Sequence, residues 1–118
     1  MSAYDQLLDD LWSIYFAAGR EVTYVGPDGE RRAYWAQRYR LLLEEAAECG
    51  DAVAFAERLM REPSDGFGRL ARASRLDLTV EALGVDPTKP YHQLFDPEAV
   101  RAARERLKEA AYAVPTAG

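Results

Sequence analysis

Arginine dominates the chemistry this chain can offer. Arg31 and Arg32 sit side by side in "GPDGERRAYW", with Arg38 and Arg40 just beyond. A helical reading of "GRLARASR" spaces Arg69, Arg72 and Arg75 at i, i+3 and i+6, a basic stripe that drifts slowly around one face. Against a phosphate backbone each such guanidinium adds a salt-dependent increment of affinity. On the protein's own surface the same groups would pair with Glu44, Glu57, Glu62 or Asp65. The formal net charge of −5 favours the second role and argues against nucleic-acid or anionic-membrane binding by the whole surface, which needs a basic footprint.

Other chemistry-bearing residues are sparse. His92, the only histidine, lies in "KPYHQLF" without a local partner to orient it as a general base, and a surface or helix-capping role is the commoner one. Cys49 is the only cysteine, so no intramolecular disulfide forms, and Cys49 with His92 is too few for a zinc site. Asp9-Asp10 and Glu44-Glu45 are adjacent on helices, where neighbours point about 100° apart and do not converge as a catalytic dyad would. There is no G-x-S-x-G elbow, and "GFGRL" lacks the third glycine and the preceding strand of a dinucleotide site. No catalytic residue, cofactor or metal site is assigned, and no small-molecule substrate is evident.

The elements that position these residues read as follows. "SAYDQLLDDLWSIYFAAG" places Leu7, Leu8, Leu11, Ile14, Tyr15 and Ala18 at helical spacing and ends at Gly19. Trp12 and Phe16 widen the stripe, so the helix should be covered on two sides, by the hairpin and by another helix or a second subunit, with both aromatics in the core. "EVTYV", "GPDG" and "ERRAYW" form a β-hairpin with Val22 and Tyr24 on one face and Thr23 and Val25 on the other. A lone hairpin is marginal in water, so one face should lie on helices while the other carries charge.

A second helix is expected over "AYWAQRYRLLLEEAAECG", with Trp35, Tyr39, Leu42, Leu43, Ala46 and Ala47 turned inward, stopping at Gly50. Asp51 should cap a third helix that Pro63 interrupts. Two short helices follow, one led by Ser64 or Asp65 and the next by Asp77 or Thr79, ending at Gly84. "DPEAV" starts the last, with Asp96 at the cap and Pro97 in the first turn. It should run to about Tyr112, burying Val100, Ala103, Leu107 and Ala111, before a tail over residues 114–118 that frays.

At 118 residues, 48% of them apolar, the chain suits one compact domain with a core of its own. The fold class is mainly α: a single domain of five to six helices with one hairpin between the first two, divided as 1–49 helix-hairpin-helix and 50–113 helical remainder. No apolar run approaches the ~20 residues that span a bilayer, so no membrane role is expected, and a cytoplasmic setting is the default.

The order helix, hairpin, helix over residues 1–49 resembles the small head–tail joining proteins of tailed phages, the lambda W type. In that family a "DG" turn followed by basic residues, here "GPDGERR", precedes a leucine-rich helix with paired acids, here "RYRLLLEEA". The resemblance implies a non-enzymatic assembly part acting through its surface in a symmetric ring, resident in the virion; Arg31 and Arg32 are the matching positions. The expected function is a protein-protein interaction or assembly module, of which a phage or prophage connector component is the specific form. It would self-associate or bind protein partners through Trp12, Tyr34, Trp35, Arg31, Arg32, Arg69, Arg72 and Arg75. The alternative is a small nucleic-acid-binding regulator using the arginine-rich helix or hairpin.

Overall fold

Helical periodicity and capping chemistry account for most of the architecture. The computed structural model describes residues 2–62 and 64–114. Helix α1 is Ala3–Glu21; strands β1, Thr23–Val25, and β2, Arg31–Ala33, form an antiparallel hairpin; then come α2, Gln37–Cys49, α3, Ala52–Arg61, and α4, Asp65–Arg72. A single 3₁₀ turn, Leu76–Leu78, leads into α5, Val80–Val85, and α6, Pro97–Glu109, completes the chain. The mainly α domain with one hairpin between its first two helices is the fold expected.

Side-chain caps fix the starts of several helices. Ser2, Ser64, Thr79 and Asp96 each accept a backbone N–H of the first turn, satisfying donors that the helix itself leaves unpaired. Asp51 departs from expectation. Its backbone (φ −108°, ψ 27°) is not in the extended region a capping side chain needs, so it makes no cap bond, and the Ala52 N–H donates instead to Tyr4 Oη at 3.3 Å. Gly50 ends α2 as expected, in the left-handed region at φ 71°.

Other boundaries also moved. Helix α1 runs past Gly19 to Glu21, with Val22 at its C-cap and buried, so Val22 belongs to the core and not to the strand. Helix α2 begins only at Gln37, which leaves Trp35 in the connecting segment. Helix α6 stops at Glu109, because Ala111 turns left-handed at φ 60° and the Tyr112 N–H closes back on the Leu107 carbonyl. Ala111 is therefore exposed, while Tyr112 and Val114 fold back onto the core. Val114 thus does not belong to a frayed tail; Pro63 and residues 115–118 lie outside the described residues.

The core gathers around α5, all six residues of which are buried, between α3 and α6. Leu7 and Leu11 of α1, Leu43 of α2, Met60 of α3, Tyr91 and Leu107 fill it with no measurable exposure, or almost none. Burying a short helix on every side also buries Glu81. Its carboxylate meets Arg106 of α6 at 2.8 Å, and the same guanidinium donates to the Leu59 and Arg61 carbonyls at the open end of α3. One side chain thereby ties α6 to α5 and α3 and satisfies carbonyls that α3 leaves free. Burial pushes the Glu81 carboxyl above the usual carboxylate range, and the bond from Arg106 only partly offsets it.

Candidate protein-interaction surface

The hairpin closes as its turn residues dictate. The Gly26 N–H donates the last bond of the ladder to the Glu30 carbonyl at 2.8 Å, and Gly29 sits at φ 80° in the loop between them. The register pairs Thr23 with Ala33, Tyr24 with Arg32 and Val25 with Arg31. Only Tyr24 is half-buried; the other five strand residues are exposed, Val25 to 62%. The expected division into a helix-packed face and a charged face is thus reduced to one ring, which lies under the Arg69 guanidinium at 4.6 Å. The arm stands open to solvent.

Its arginines have near neighbours. Arg32 meets Asp28 at 2.7 Å, a pairing that holds the Asp28 carboxyl below its ordinary range, and Arg31 donates to Thr23 Oγ1 at 2.8 Å. The Arg69, Arg72, Arg75 stripe does not persist as a row. Helix α4 ends at Arg72, and Ser74 turns left-handed at φ 58°, which carries Arg75 away from the helix face. Arg75 forks between Glu21 at 3.0 Å and Asp77 at 3.1 Å, while Arg72 donates to the Gly68 carbonyl of its own helix. Of the acids expected to neutralise these arginines, among the described residues only Glu44 does so, by pairing with Arg40; Arg32 and Arg75 use Asp28, Glu21 and Asp77, and Glu62 pairs with Arg58, which belongs to neither cluster.

The aromatic residues do converge. Tyr15 of α1 is buried at the centre of a connected set, with Phe16 at 5.2 Å, Trp35 at 5.5 Å, and Trp12 and Tyr39 each at 6.0 Å between ring centroids. Tyr39 continues the chain to Phe55 and donates to the Leu11 carbonyl at 2.6 Å, and burial raises its hydroxyl pKa well above the ordinary value. At the other end the set reaches water. Phe16 is 45% exposed and Trp35 43%, so neither is the core residue the pattern suggested. Trp35 lies where it does because Gly19 has no side chain: a Cβ there would be 2.1 Å from the indole ring. Trp12, stacked on Phe16 at 6.1 Å, is half-buried.

Beside this surface runs a groove of about 770 Å³ between α2 and α3 on one side and α4 with the 3₁₀ turn on the other. Tyr34, Phe55, Phe67, Leu70 and Glu81 line it, together with Cys49, which is exposed and free. Tyr34 reaches across to Gly66 at the start of α4, and burial raises its hydroxyl pKa. Of the residues singled out from sequence, Trp12 and Trp35 share the α1 surface, Tyr34 and Arg69 share the groove, Arg31 and Arg32 share the arm, and Arg72 and Arg75 stand apart.

Sequence reasoning missed the outer face of α1 as a unit. Asp5, Asp9, Ser13, Phe16 and Arg20 are all exposed and recur every three or four residues, the spacing of one helical stripe. That spacing is legible in the sequence, but spacing alone does not separate Phe16 from the core residues it alternates with. His92 is exposed in the turn before α6 and lines neither this groove nor the smaller concavity by Asp10 and Lys89. Among the described residues no group of three or more His, Cys, Asp or Glu comes together to hold a metal, and no helix is long and apolar enough to cross a membrane. In comparison with known proteins, no family model, no curated protein and no solved structure matches this chain.

Proposed function

We propose that this protein is a non-catalytic interaction module that docks other protein subunits through the outer face of α1 and the adjoining arm. The observation that carries it is the open end of the aromatic set: Phe16 and Trp35 present large apolar area on a continuous surface flanked by charge. Interface centres are enriched in aromatic residues and arginine, and anchors of this kind dominate binding energy. The resemblance of residues 1–49 in element order to phage head–tail joining proteins supports a specific version, a subunit of a virion connector. The nucleic-acid alternative is weakened, because Arg32 and Arg75 are engaged by acids of the same chain.

The test is light scattering over a range of concentrations joined to affinity capture from the native host, with wild type compared against a Trp12→Ser, Phe16→Ser, Trp35→Ser chain. Wild type is expected to assemble with itself or to retain a protein that the triple variant releases. A wild-type monomer that retains nothing dependent on these rings overturns the proposal. Retention on DNA or RNA that weakens steeply with salt and is lost on Arg72→Glu would favour the regulator instead.

A further inference from the structure

We infer that the docking partner of α1 is a second copy of this chain, held by α1 packing antiparallel on its counterpart across a two-fold axis. The inference rests on the reading above, that the aromatic face is an interface, and adds the identity of what covers it.

The argument is self-complementarity. One side of α1 is committed to the monomer through Leu7, Leu11, Tyr15, Ala18 and Gly19, all buried. The opposite stripe runs Asp5, Asp9, Ser13, Phe16, Arg20, acidic at its N-terminal end, aromatic toward the middle and cationic at its C-terminal end. Among the described residues neither Asp9 nor Arg20 has an oppositely charged group within 4.0 Å, whereas Asp10, one residue away and facing inward, pairs with Lys89 and accepts from Tyr91. Asp9 and Arg20 cannot satisfy one another within one chain, because eleven residues of helix separate them by about 16 Å.

Two copies remove that obstacle. Laid antiparallel with the axis between Ser13 and Phe16, Asp9 of one chain faces the partner's Arg20, and Phe16 faces the partner's Ser13. Both pairs then occur twice, as an isologous contact demands. The large ring meets the small side chain, and each unpaired charge meets its opposite. A parallel arrangement would instead set Asp9 against the partner's Asp9 and Arg20 against the partner's Arg20, a repulsion that rejects it. A standard interface takes about 800 Å² from each partner. That is roughly a tenth of the 7191 Å² this molecule exposes.

Sedimentation velocity on the full chain, with circular dichroism to confirm folding, tests the inference by charge exchange. Wild type is expected to dimerise. Asp9→Arg and Arg20→Asp should each raise the dissociation constant by about tenfold or more, since each places like charges opposite one another twice. The chain carrying both changes should return to near the wild-type value, and an equimolar mixture of the two single variants should associate with each other. Because the two positions are too far apart to meet in one chain, such rescue reports a contact between chains. A wild-type dimer insensitive to both reversals overturns the inference, and so does a ring of more than two copies, the assembly that the connector version of the reading above expects. A wild-type monomer that still retains a host protein through Phe16 overturns it while leaving the interface reading intact; a monomer that retains none removes both.

Discussion

Arg106 and Arg20 carry the same charge and meet opposite circumstances. Arg106, only 15% exposed, has a carboxylate and two helix-end carbonyls arranged around it, with the half-buried Phe67 ring 5.9 Å from its guanidinium. Arg20 has no acid beside it among the described residues, and Phe16 and Trp35 nearby lie open. The α3–α5–α6 end is complete within one chain: every buried side-chain donor or acceptor described there has a partner. The α1 face instead combines Asp9 and Arg20, which have no opposite charge beside them among the described residues, with exposed apolar area at Phe16 and Trp35. Residues of the same types thus serve internal cohesion in one region and remain available for contact in the other.

The largest effect should come from breaking the closed end. Arg106→Met leaves the Glu81 carboxylate buried without a counter-charge, a situation that costs about 3–5 kcal/mol at neutral pH. Chemical denaturation of variant and wild type would measure it. The pH dependence has a defined sign. Burial raises the Glu81 carboxyl in the folded state above its unfolded value, so its favourable contribution is present at low pH and is lost as pH rises through the raised folded value. Removing Arg106 raises that value further. The deficit of the variant relative to wild type should therefore narrow as pH falls from neutral into the carboxylate range. Glu81→Leu added to Arg106→Met should recover much of the loss, because an apolar pair replaces a buried ion pair at little net cost. A small deficit that ignores pH would mean the closed end does not depend on this pair.

An added methyl group sharpens the comparison at intermediate cost. At Gly84 a Cβ would lie 2.5 Å from Met60 Cε, and Met60 is wholly buried, so Gly84→Ala should destabilise by about 1–3 kcal/mol through overpacking. At Gly19 the clash is nominally worse, 2.1 Å from the Trp35 ring, but that ring borders water and can leave. Gly19→Ala should cost less than Gly84→Ala and shift tryptophan emission to the red. Equal costs without a spectral change would show that Trp35 is as fixed as Met60 and that the α1 face is not open.

The two regions also differed in how legible they were. Caps at Ser64 and Asp96, the stop at Gly50 and the hairpin turn were readable because each rests on contacts within four residues of its own position. The seclusion of α5 was not, since "VEALGV" carries no periodic pattern strong enough to announce burial on every side, and the Glu81–Arg106 pair joins residues 25 apart. The arginine stripe failed at Ser74, where a left-handed residue that sequence seldom flags ended the helix early. Trp35 failed for a related reason: periodicity carried the helix back through it, whereas the chain needs residues 34–36 to pass from β2 to α2. Phe16 sat at helical spacing with core residues, and spacing alone cannot say how wide the covered arc is.

Phe16→Ser should have the smallest effect on the monomer and the most informative one. The ring touches Trp12 and Tyr15 on its own helix and is otherwise close to water, so its loss should cost about 1 kcal/mol or less, in the range of partly exposed surface changes. Denaturation and sedimentation on the same preparation separate the two regions cleanly. An interface residue leaves the unfolding midpoint nearly in place while self-association falls, because the substitution removes area used only between chains. A core residue behaves in reverse, and a loss approaching that of Arg106→Met would mean that Phe16 belongs to the monomer's packing. The comparison between a finished end and an unfinished face would then fail at the residue on which it depends most.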